Sequence, residues 1–237
     1  MPIMFRFRWI PFLATVVLVA LGVALGQWQT RRATEKQAIE ATMSQRTAAP
    51  PITLDASMPP LDALEYRRAI VRGEFISAWP LYLENRPHNS IAGFYVLMPF
   101  KIAGSTQHVM IARGWVPRDP RDRAKLPPLM TPNGQVELQG MITRHAGRLL
   151  QLGQAVPPRP NAILQNMDVA EFAQASKLSM QPFVIEQQSD TQDGLIRDWP
   201  RPSAGIDKHL GYAFQWYGLA GMAFLFFVVT GLRRGTR

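Results

Sequence analysis

The chain has 237 residues, 47% of them hydrophobic, with a formal net charge of +9 and no cysteine. This length allows one domain of ordinary size together with membrane segments. The absence of cysteine excludes disulfides, CxxC redox or copper-transfer sites, thioether haem attachment and a lipoprotein anchor. An exported domain of this chain would therefore depend on an ordinary hydrophobic core.

The basic excess is concentrated at the two ends of the chain. No acidic residue precedes Glu35 or follows Asp207. The basic residues on the outer flanks of the two apolar runs are Arg6, Arg8, Arg233, Arg234 and Arg237. Because such flanks orient membrane spans, they account for much of the charge without nucleic acid as a partner. We predict cytoplasmic termini over 1–8 and 233–237, and a periplasmic domain over 29–208.

The first apolar run, Trp9–Gly26, predicts a transmembrane helix over 9–28. A cleavable signal peptide with Ala24 and Gly26 at its cleavage site is the alternative, although the run is longer than most such signals. The short segment before Trp9 leaves no room for an organelle-targeting presequence, which favours a bacterial inner-membrane protein. Gly22 and Gly26 form a GxxxG pair that permits close approach of another helix.

The second apolar run predicts a transmembrane helix over 209–232. One helical face carries His209, Tyr212, Ala213, Trp216, Tyr217 and Ala220. Gly211 and Gly218 lie on the other side. We expect this glycine side to pack against the first span, so that the face of His209 and Trp216 is open to a ligand or partner.

His209 has two interpretations from its position alone. It is either an interfacial histidine that tolerates the headgroup region, with Trp216 and Tyr217 as belt aromatics, or a ligand. A place in the first helical turn disfavours the imidazolium, because the helix dipole is positive there. A neutral imidazole beside an apolar, ring-lined face suits an axial ligand of haem iron.

The sequence between the two spans predicts a mainly antiparallel β-rich domain, and hence a membrane α+β fold. A helix should continue from Gln29 to Arg46 and stop before Pro50. A short helix over Asp168–Lys177 should have Asp168 as its cap, and Arg118–Pro132 should be a surface loop. The predicted strands are Tyr66–Ile76, Leu81–Glu84, Phe94–Ile102, His108–Val116, Gln135–Thr143 and Phe183–Gln187.

Few residues of this domain are candidates for chemistry. Walker, GxGxxG, HExxH and GxSxG motifs are absent, and the four histidines are scattered. Enzyme is therefore the less favoured class. Arg113 and Trp115 stand at the end of an apolar strand, either as a partner-binding surface or as a strand end with Trp115 packed on the core. The segment 84–89 predicts a turn with accessible side chains.

Several motifs together resemble one family, the surfeit-locus (Shy-type) cytochrome oxidase assembly proteins. The resemblance runs in order over nearly the whole chain, and the blocks at Arg113 and His209 are the most specific. The matching segments are Leu25–Gln29 with Arg32 and Lys36, Glu65–Arg68 with Gly73 and Phe75, Asn85–Arg86, Gly93–Tyr95 with Pro99, Arg113–Pro117, Pro182–Ile185, His209–Leu210, Tyr212–Ala213, Gln215–Tyr217 and Leu219–Ala220.

The resemblance implies two spans that hold an exported domain and a role in the maturation of haem-copper oxidases. Bacterial members of the family are associated with binding haem a and delivering it to the catalytic subunit, and the histidine that matches His209 is implicated. On this basis we expect transient binding of haem a with His209 as iron ligand, and Tyr212, Trp216, Tyr217 and Trp28 around the macrocycle. The expected partners are the oxidase catalytic subunit, a haem a synthase and membrane lipid, and no nucleic acid.

Two departures from the family pattern concern the expected site. Glu35 replaces a frequent tryptophan, and Asp207 with Lys208 replace a common pair of asparagines. Three alternatives also stay open: a cofactor-free scaffold that stabilises the oxidase subunit, a membrane-tethered periplasmic enzyme, and a permanent accessory subunit.

Overall fold

The computed structural model describes residues 3–5, 7–55, 61–151, 155–200 and 205–234. The chain divides into two compact units. Met1–Thr42 and Arg201–Arg237 form the helical unit, and Met43–Pro200 forms the β unit. The predicted membrane α+β class is confirmed, because long apolar helices near both termini flank a β-rich domain.

The helices and strands follow one another along the chain in this order: β1 (Ile3–Phe5), α1 (Trp9–Ala48), β2 (Ile52–Thr53), α2 (Leu61–Leu64), β3 (Arg68–Phe75), β4 (Leu81–Leu83), β5 (Gly93–Ile102), β6 (His108–Pro117), β7 (Val136–Thr143), β8 (Ala162–Leu164), α3 (Val169–Ser176), β9 (Met180–Gln187), α4 (Ile206–Gly231) and β10 (Leu232–Arg234).

The two long helices have the character of membrane spans. α1 contains Pro11 in its first turn, where the missing N–H removes no intrahelical hydrogen bond, and it ends at Ala48, before Pro50 as predicted. Both α1 and α4 are long and apolar enough to cross a bilayer. Their large side chains point outward: Ile10 is 84% exposed and Phe214 is 79% exposed. Apolar residues that face outward fit a helix surrounded by lipid, not the core helix of a soluble protein.

α1 and α4 pack antiparallel within the helical unit. The ring of Phe12 lies 5.8 Å from that of Phe227, and nearer the other end a Cβ added at Gly22 would lie 2.9 Å from Ala220 Cβ. A Cβ at Gly26 would lie 2.6 Å from the ring of Tyr217. The GxxxG pair of α1 therefore permits the close approach that the sequence predicts.

The prediction that α4 packs on α1 through its Gly211 and Gly218 side is wrong. A Cβ added at Gly211 or Gly218 would meet nothing within 4 Å. The buried residues of α4 near the interface are instead Ala213 and Ala220, which belong to the face that carries His209. The small side chains of alanine permit close backbone approach as glycine does, and Ala220 lies opposite Gly22.

The ends of the helical unit are joined by a small sheet. β1 pairs antiparallel with β10, from Ile3 opposite Arg234 to Phe5 opposite Leu232. The start of α1 and the end of α4 therefore lie side by side.

Five strands of the β unit form a closed barrel. They are hydrogen-bonded in the order β3-β7-β9-β6-β5, and β5 also pairs with β3. All pairs are antiparallel except β6 with β9. β2 adds a parallel strand to β3, while β4 and β8 extend the sheet from β5. The prediction of a mainly antiparallel β domain is confirmed.

Alternate residues of the barrel strands supply hydrophobic cores on both faces of the sheet. The inside is filled by a cluster that includes Phe100, Ile111 and Ile185. The outside of β6 and β9 presents Met110 and Val184 to α3, whose Phe172 is fully buried. These two layers fix the positions of the polar side chains described below.

Each predicted strand of the β unit corresponds to an observed strand, with bounds that agree within a few residues. The predicted short helix is α3, and Asp168 caps it because its Oδ1 accepts hydrogen bonds from the N–H groups of Ala170 and Glu171, at 2.8 and 3.2 Å. Residues 118–132 form a loop, as predicted. β2 and β8 are too short to have given a sequence signal.

Candidate functional site

The candidate site in the helical unit centres on a hydrogen bond between its two long helices. His209 Nδ1 lies 2.7 Å from Gln29 Oε1, and both side chains are partly buried. Gln29 follows Gly26 by three residues, so the two share the face of α1 that meets α4. When the imidazole proton is on Nδ1, that N–H donates to the amide oxygen and Nε2 keeps a lone pair. Such a nitrogen can bind a metal.

His209 lies in the first turn of α4, as predicted. Its backbone N–H donates to Gly205 O at 3.3 Å. The neighbouring residues Asp207 and Lys208, at which the sequence departs from the expected pattern, are exposed. No hydrogen bond or ion pair within the described residues connects either of them to the imidazole. The departure therefore leaves the contact between His209 and Gln29 intact.

The aromatic residues of α4 are divided between the interface and the surface. The Tyr217 ring packs over Gly26, and Trp216 is partly buried, whereas Tyr212 is 52% exposed. The interpretation that this whole face stays open to a ligand is thus corrected, because Ala213, Tyr217 and Ala220 use it to pack on α1.

Trp216 lines an apolar groove between the two helices. The groove has a volume of about 460 Å³, and its other lining residues are Leu18, Leu21, Gly22, Leu219, Met222, Ala223 and Phe226. Trp216 follows His209 by seven residues, which places it about 10 Å farther along the helix axis on the same face. The structure therefore offers an apolar surface on the membrane side of the imidazole.

Trp28 is not brought to this face. Its side chain is 49% exposed. It stands about 200° around α1 from Gly26, at about 100° per residue. Within the described residues no hydrogen bond or ring contact joins it to His209 or Trp216. Its predicted part in the pocket stays a prediction that the packing of the helices does not favour.

The β unit holds the other two predicted site residues, and it buries both. Arg113 is 0% exposed and Trp115 is 4% exposed. The interpretation of their side chains as a partner-binding surface is therefore wrong, and the alternative of a strand end packed on the core is the observed one. Neither side chain reaches the surface of this unit.

Arg113 is buried because its charge and its terminal nitrogens have partners. Nη2 donates to Asp193 Oδ2 at 2.9 Å and to Met130 O at 2.7 Å, while Nη1 donates to Thr131 Oγ1 at 2.9 Å. The guanidinium also lies over the ring of Phe75, 4.6 Å from its centroid. Burial lowers the pKa of Arg113, although the hydrogen bond and charge of Asp193 act against this shift.

A second buried cation, Arg86, anchors the turn that the sequence predicts to be accessible. Its guanidinium donates to the backbone oxygens of Glu84, Gly147 and Gln165 at 2.7 to 3.0 Å. Its own carbonyl accepts from Trp115 Nε1 at 2.6 Å. Arg86 therefore connects its own turn and the segments at Gly147 and Gln165 to the barrel. The exposed residues beside it in the turn give no indication of this buried position.

Among the described residues, no group of three or more His, Cys, Asp or Glu side chains could hold a bare metal ion.

Two residues of interest were not predicted from the sequence. The first is Glu186 on β9. Burial raises its pKa from 4.5 to about 7. The second is Gln29, although its three-residue spacing from Gly26 places it on the same face of α1.

The chain is similar to known proteins over most of its length. Residues 16–221 match the SURF1 family. The chain is 29% identical to Surfeit locus protein 1 of Rattus norvegicus, over 91% of this chain and 74% of that protein. It is 26% identical to a SURF1-like protein of Rickettsia felis over 92% of this chain and 95% of that protein, and 29% identical to one of Rickettsia bellii over 88% and 85%.

Proposed function

Because this chain belongs to the SURF1 family, we propose that it is a membrane-bound assembly factor for a haem-copper terminal oxidase. In this proposal it binds haem a transiently through His209 and assists insertion of the haem into the catalytic subunit. The observation that carries the proposal is the hydrogen bond of 2.7 Å that His209 Nδ1–H donates to Gln29 Oε1, which holds the imidazole at the start of α4 while Nε2 stays unpaired among the described residues.

The donor set fits a haem better than a bare ion. A single imidazole holds a bare metal ion weakly, whereas a porphyrin brings four nitrogens and needs only axial ligands from the protein. The apolar groove beside Trp216 supplies a surface for a flat macrocycle. Lys36 Nζ lies 3.5 Å from the position that a Cβ would take at Gly205, so a cation stands where haem carboxylates could pair.

The protein would have to hold the haem reversibly, since an assembly factor passes its cargo on. The site supports this in two ways. His209 is the single histidine of the helical unit, so this chain offers no second imidazole there. The groove is open on one side, which would allow lateral exit into the membrane or to a partner.

We also propose that the protein lies in a bacterial inner membrane with both termini in the cytoplasm and the β unit in the periplasm. The pairing of β1 with β10 supports a common side for the termini. The arginines beyond each span support the cytoplasm as that side. The β unit would then contact the oxidase catalytic subunit, through surface residues other than Arg113 and Trp115.

An absorption spectrum of the purified protein tests the proposal. The full-length protein, purified in detergent from cells that make haem a, should show a Soret band, and the variant His209→Ala should lose it. His145→Ala is the matched control, because His145 is an exposed histidine of the β unit. An unchanged Soret band in His209→Ala would remove the ligand role of His209.

A cofactor-free scaffold is the second candidate. It is favoured by the packing of Ala213, Tyr217 and Ala220 on α1, which leaves less of the aromatic face for a ligand than the sequence predicts. A scaffold predicts no haem in the purified protein and yet loss of oxidase activity in cells that lack it. The haem measurement above separates the two candidates.

A further inference from the structure

The contact between Gln29 and His209 is an exception within the interface of α1 and α4. The other interface contacts described above are made by glycines, alanines and aromatic rings. Among the described residues, Gln29 and His209 form the one side-chain hydrogen bond that joins the two helices. Their positions are 180 residues apart in sequence, so the contact depends on the pairing of the helices and not on local structure.

This hydrogen bond decides which nitrogen of the imidazole carries the proton. A neutral imidazole has one N–H, on Nδ1 or on Nε2, and only the other nitrogen can bind a metal. The amide oxygen of Gln29 is an acceptor, so at 2.7 Å it selects the form with the proton on Nδ1. The lone pair is then on Nε2.

We propose that Gln29 is a positioning residue for His209: it fixes the Nδ1–H tautomer and the ring orientation, so that Nε2 is available to an electrophile. The assignment of haem iron as that electrophile rests on the proposed function. The tautomer itself does not, because it is a property of the protein without haem.

The first measurement uses the haem-free protein. Full-length protein labelled with ¹⁵N-histidine is placed in lipid nanodiscs, and the His209 ring signals are identified by their absence in His209→Ala. We expect Nδ1 to show the chemical shift of a protonated nitrogen and Nε2 that of an unprotonated one. In Gln29→Leu, which cannot accept a hydrogen bond, the signals should move to a mixture of both tautomers.

Two further variants distinguish positioning from a merely structural role. Gln29→Glu keeps an acceptor and should retain the Nδ1–H tautomer, whereas a packing defect would appear in both Gln29 variants. Gln27→Leu is the matched control, since Gln27 is an exposed glutamine on another face of α1 and lines a different groove. Gln27→Leu should leave the His209 signals unchanged.

The second measurement is titration with haem a. Loss of a hydrogen-bond partner to a metal-binding histidine typically weakens metal binding about 10- to 100-fold, and we expect a loss of that size in Gln29→Leu. Gln29→Glu should bind haem within a few-fold of the wild type and shift the reduction potential of the bound haem downward, because a carboxylate gives the ring more anionic character.

The two measurements can fail separately. A proton on Nε2 in the wild type, or an unchanged tautomer in Gln29→Leu, would overturn the role of Gln29 even if His209 binds haem. Absence of haem binding with the expected tautomer would overturn the proposed function and leave the positioning of the imidazole supported.

Discussion

Glu186 is the carboxyl group of the β unit that is most altered by its surroundings. It lies on β9, where its partners across the sheet are Met141 and Ala112, neither of which has a side chain that donates a hydrogen bond. Desolvation is the cause of its raised pKa of about 7. The carboxyl group is close enough to Tyr66 and Tyr95 to raise the pKa of both tyrosines further.

This environment makes the stability of the β unit depend on pH. Between pH 4.5 and about 7 the folded protein keeps the Glu186 proton that the unfolded chain has already lost, so unfolding releases a proton. The free energy of unfolding should therefore fall as pH rises through this window. At about 1.4 kcal/mol per pKa unit the loss is on the order of 3 kcal/mol.

Glu186→Gln should remove this dependence, since an amide does not ionise. The free energy of unfolding of the variant, measured relative to that of the wild type, should increase by up to about 3 kcal/mol between pH 4 and pH 8. Urea unfolding of the full-length protein, followed by tryptophan fluorescence at both pH values, measures the difference. Glu74→Gln changes an exposed glutamate of β3 and is the control. Parallel pH profiles for wild type and Glu186→Gln would contradict the assignment.

Arg113 shows where sequence reasoning about single residues reaches its limit. An arginine at the end of an apolar strand is compatible with either a surface or a core position. What places it in the core is Asp193, which comes 80 residues later and also binds Arg197 with both carboxylate oxygens at 2.7 Å. Sequence spacing gives no indication of such a distant partner, so the buried ion pair could not be predicted.

For Gln29, in contrast, one part of its role could be predicted from the sequence, namely the helical face on which it lies. Its spacing from Gly26 places both on one helical face, and the GxxxG pair predicts that this face meets another helix. The missing step was the register of α4, which decides that His209 and no other residue lies opposite Gln29. The place of His209 in the first turn of α4, in contrast, was predicted correctly.

At the scale of the elements, the strands of the β unit were predictable and their closure into a barrel was not. Val, Ile, Tyr and Phe with glycine and proline between them indicate each strand locally. Closure requires β3 to pair with both β7 and β5, and Gly73 takes part in both pairs. A Cβ at Gly73 would overlap the Lys101 carbonyl oxygen, so the close approach of β5 needs a glycine here.

The pairing of α1 with α4 was predicted correctly for one helix and wrongly for the other. The sequence prediction uses glycine as the marker of close approach on both helices. On α4, however, the alanines at 213 and 220 are the buried small residues, and Gly211 and Gly218 are exposed. Both sets have the same seven-residue spacing, so periodicity alone does not distinguish them.

This difference gives a prediction for helix pairing. Gly22→Leu should separate α1 from α4, because even a Cβ at Gly22 would lie 2.9 Å from Ala220 Cβ and 3.0 Å from Trp216 O. The chain has no cysteine, so the pair Phe12→Cys and Phe227→Cys gives a clean cross-linking background. These rings are in contact, and a short bifunctional reagent should join the two cysteines in membranes. Gly22→Leu should reduce the cross-linked fraction several-fold.

Gly218→Leu is the matched control for this experiment. It changes a glycine of the same pair of helices to the same residue, but its Cβ would meet nothing within 4 Å. Cross-linking should stay at the level of the double-cysteine protein. Loss of cross-linking in Gly218→Leu with retention in Gly22→Leu would show that the glycine face of α4 is the packing face after all.

For the whole molecule, the paired chain ends limit how it can lie in a membrane. Since α1 and α4 are antiparallel and β1 pairs with β10, both termini leave the helical unit at one end. A bilayer that both helices cross would therefore place β1 and β10 on the same side.

Single-cysteine labelling tests whether the β unit is periplasmic and the C-terminus cytoplasmic. Thr106→Cys places a thiol at an exposed position of the turn between β5 and β6, and a cysteine appended after Arg237 marks the C-terminus. A membrane-impermeant maleimide should label the first in cells whose outer membrane has been made permeable, but label the second only after the inner membrane is opened. The arginines that flank both spans favour this orientation, since positive residues near spans are retained in the cytoplasm. The reverse pattern would place His209 at the cytoplasmic surface, where haem would have to be bound from the opposite side.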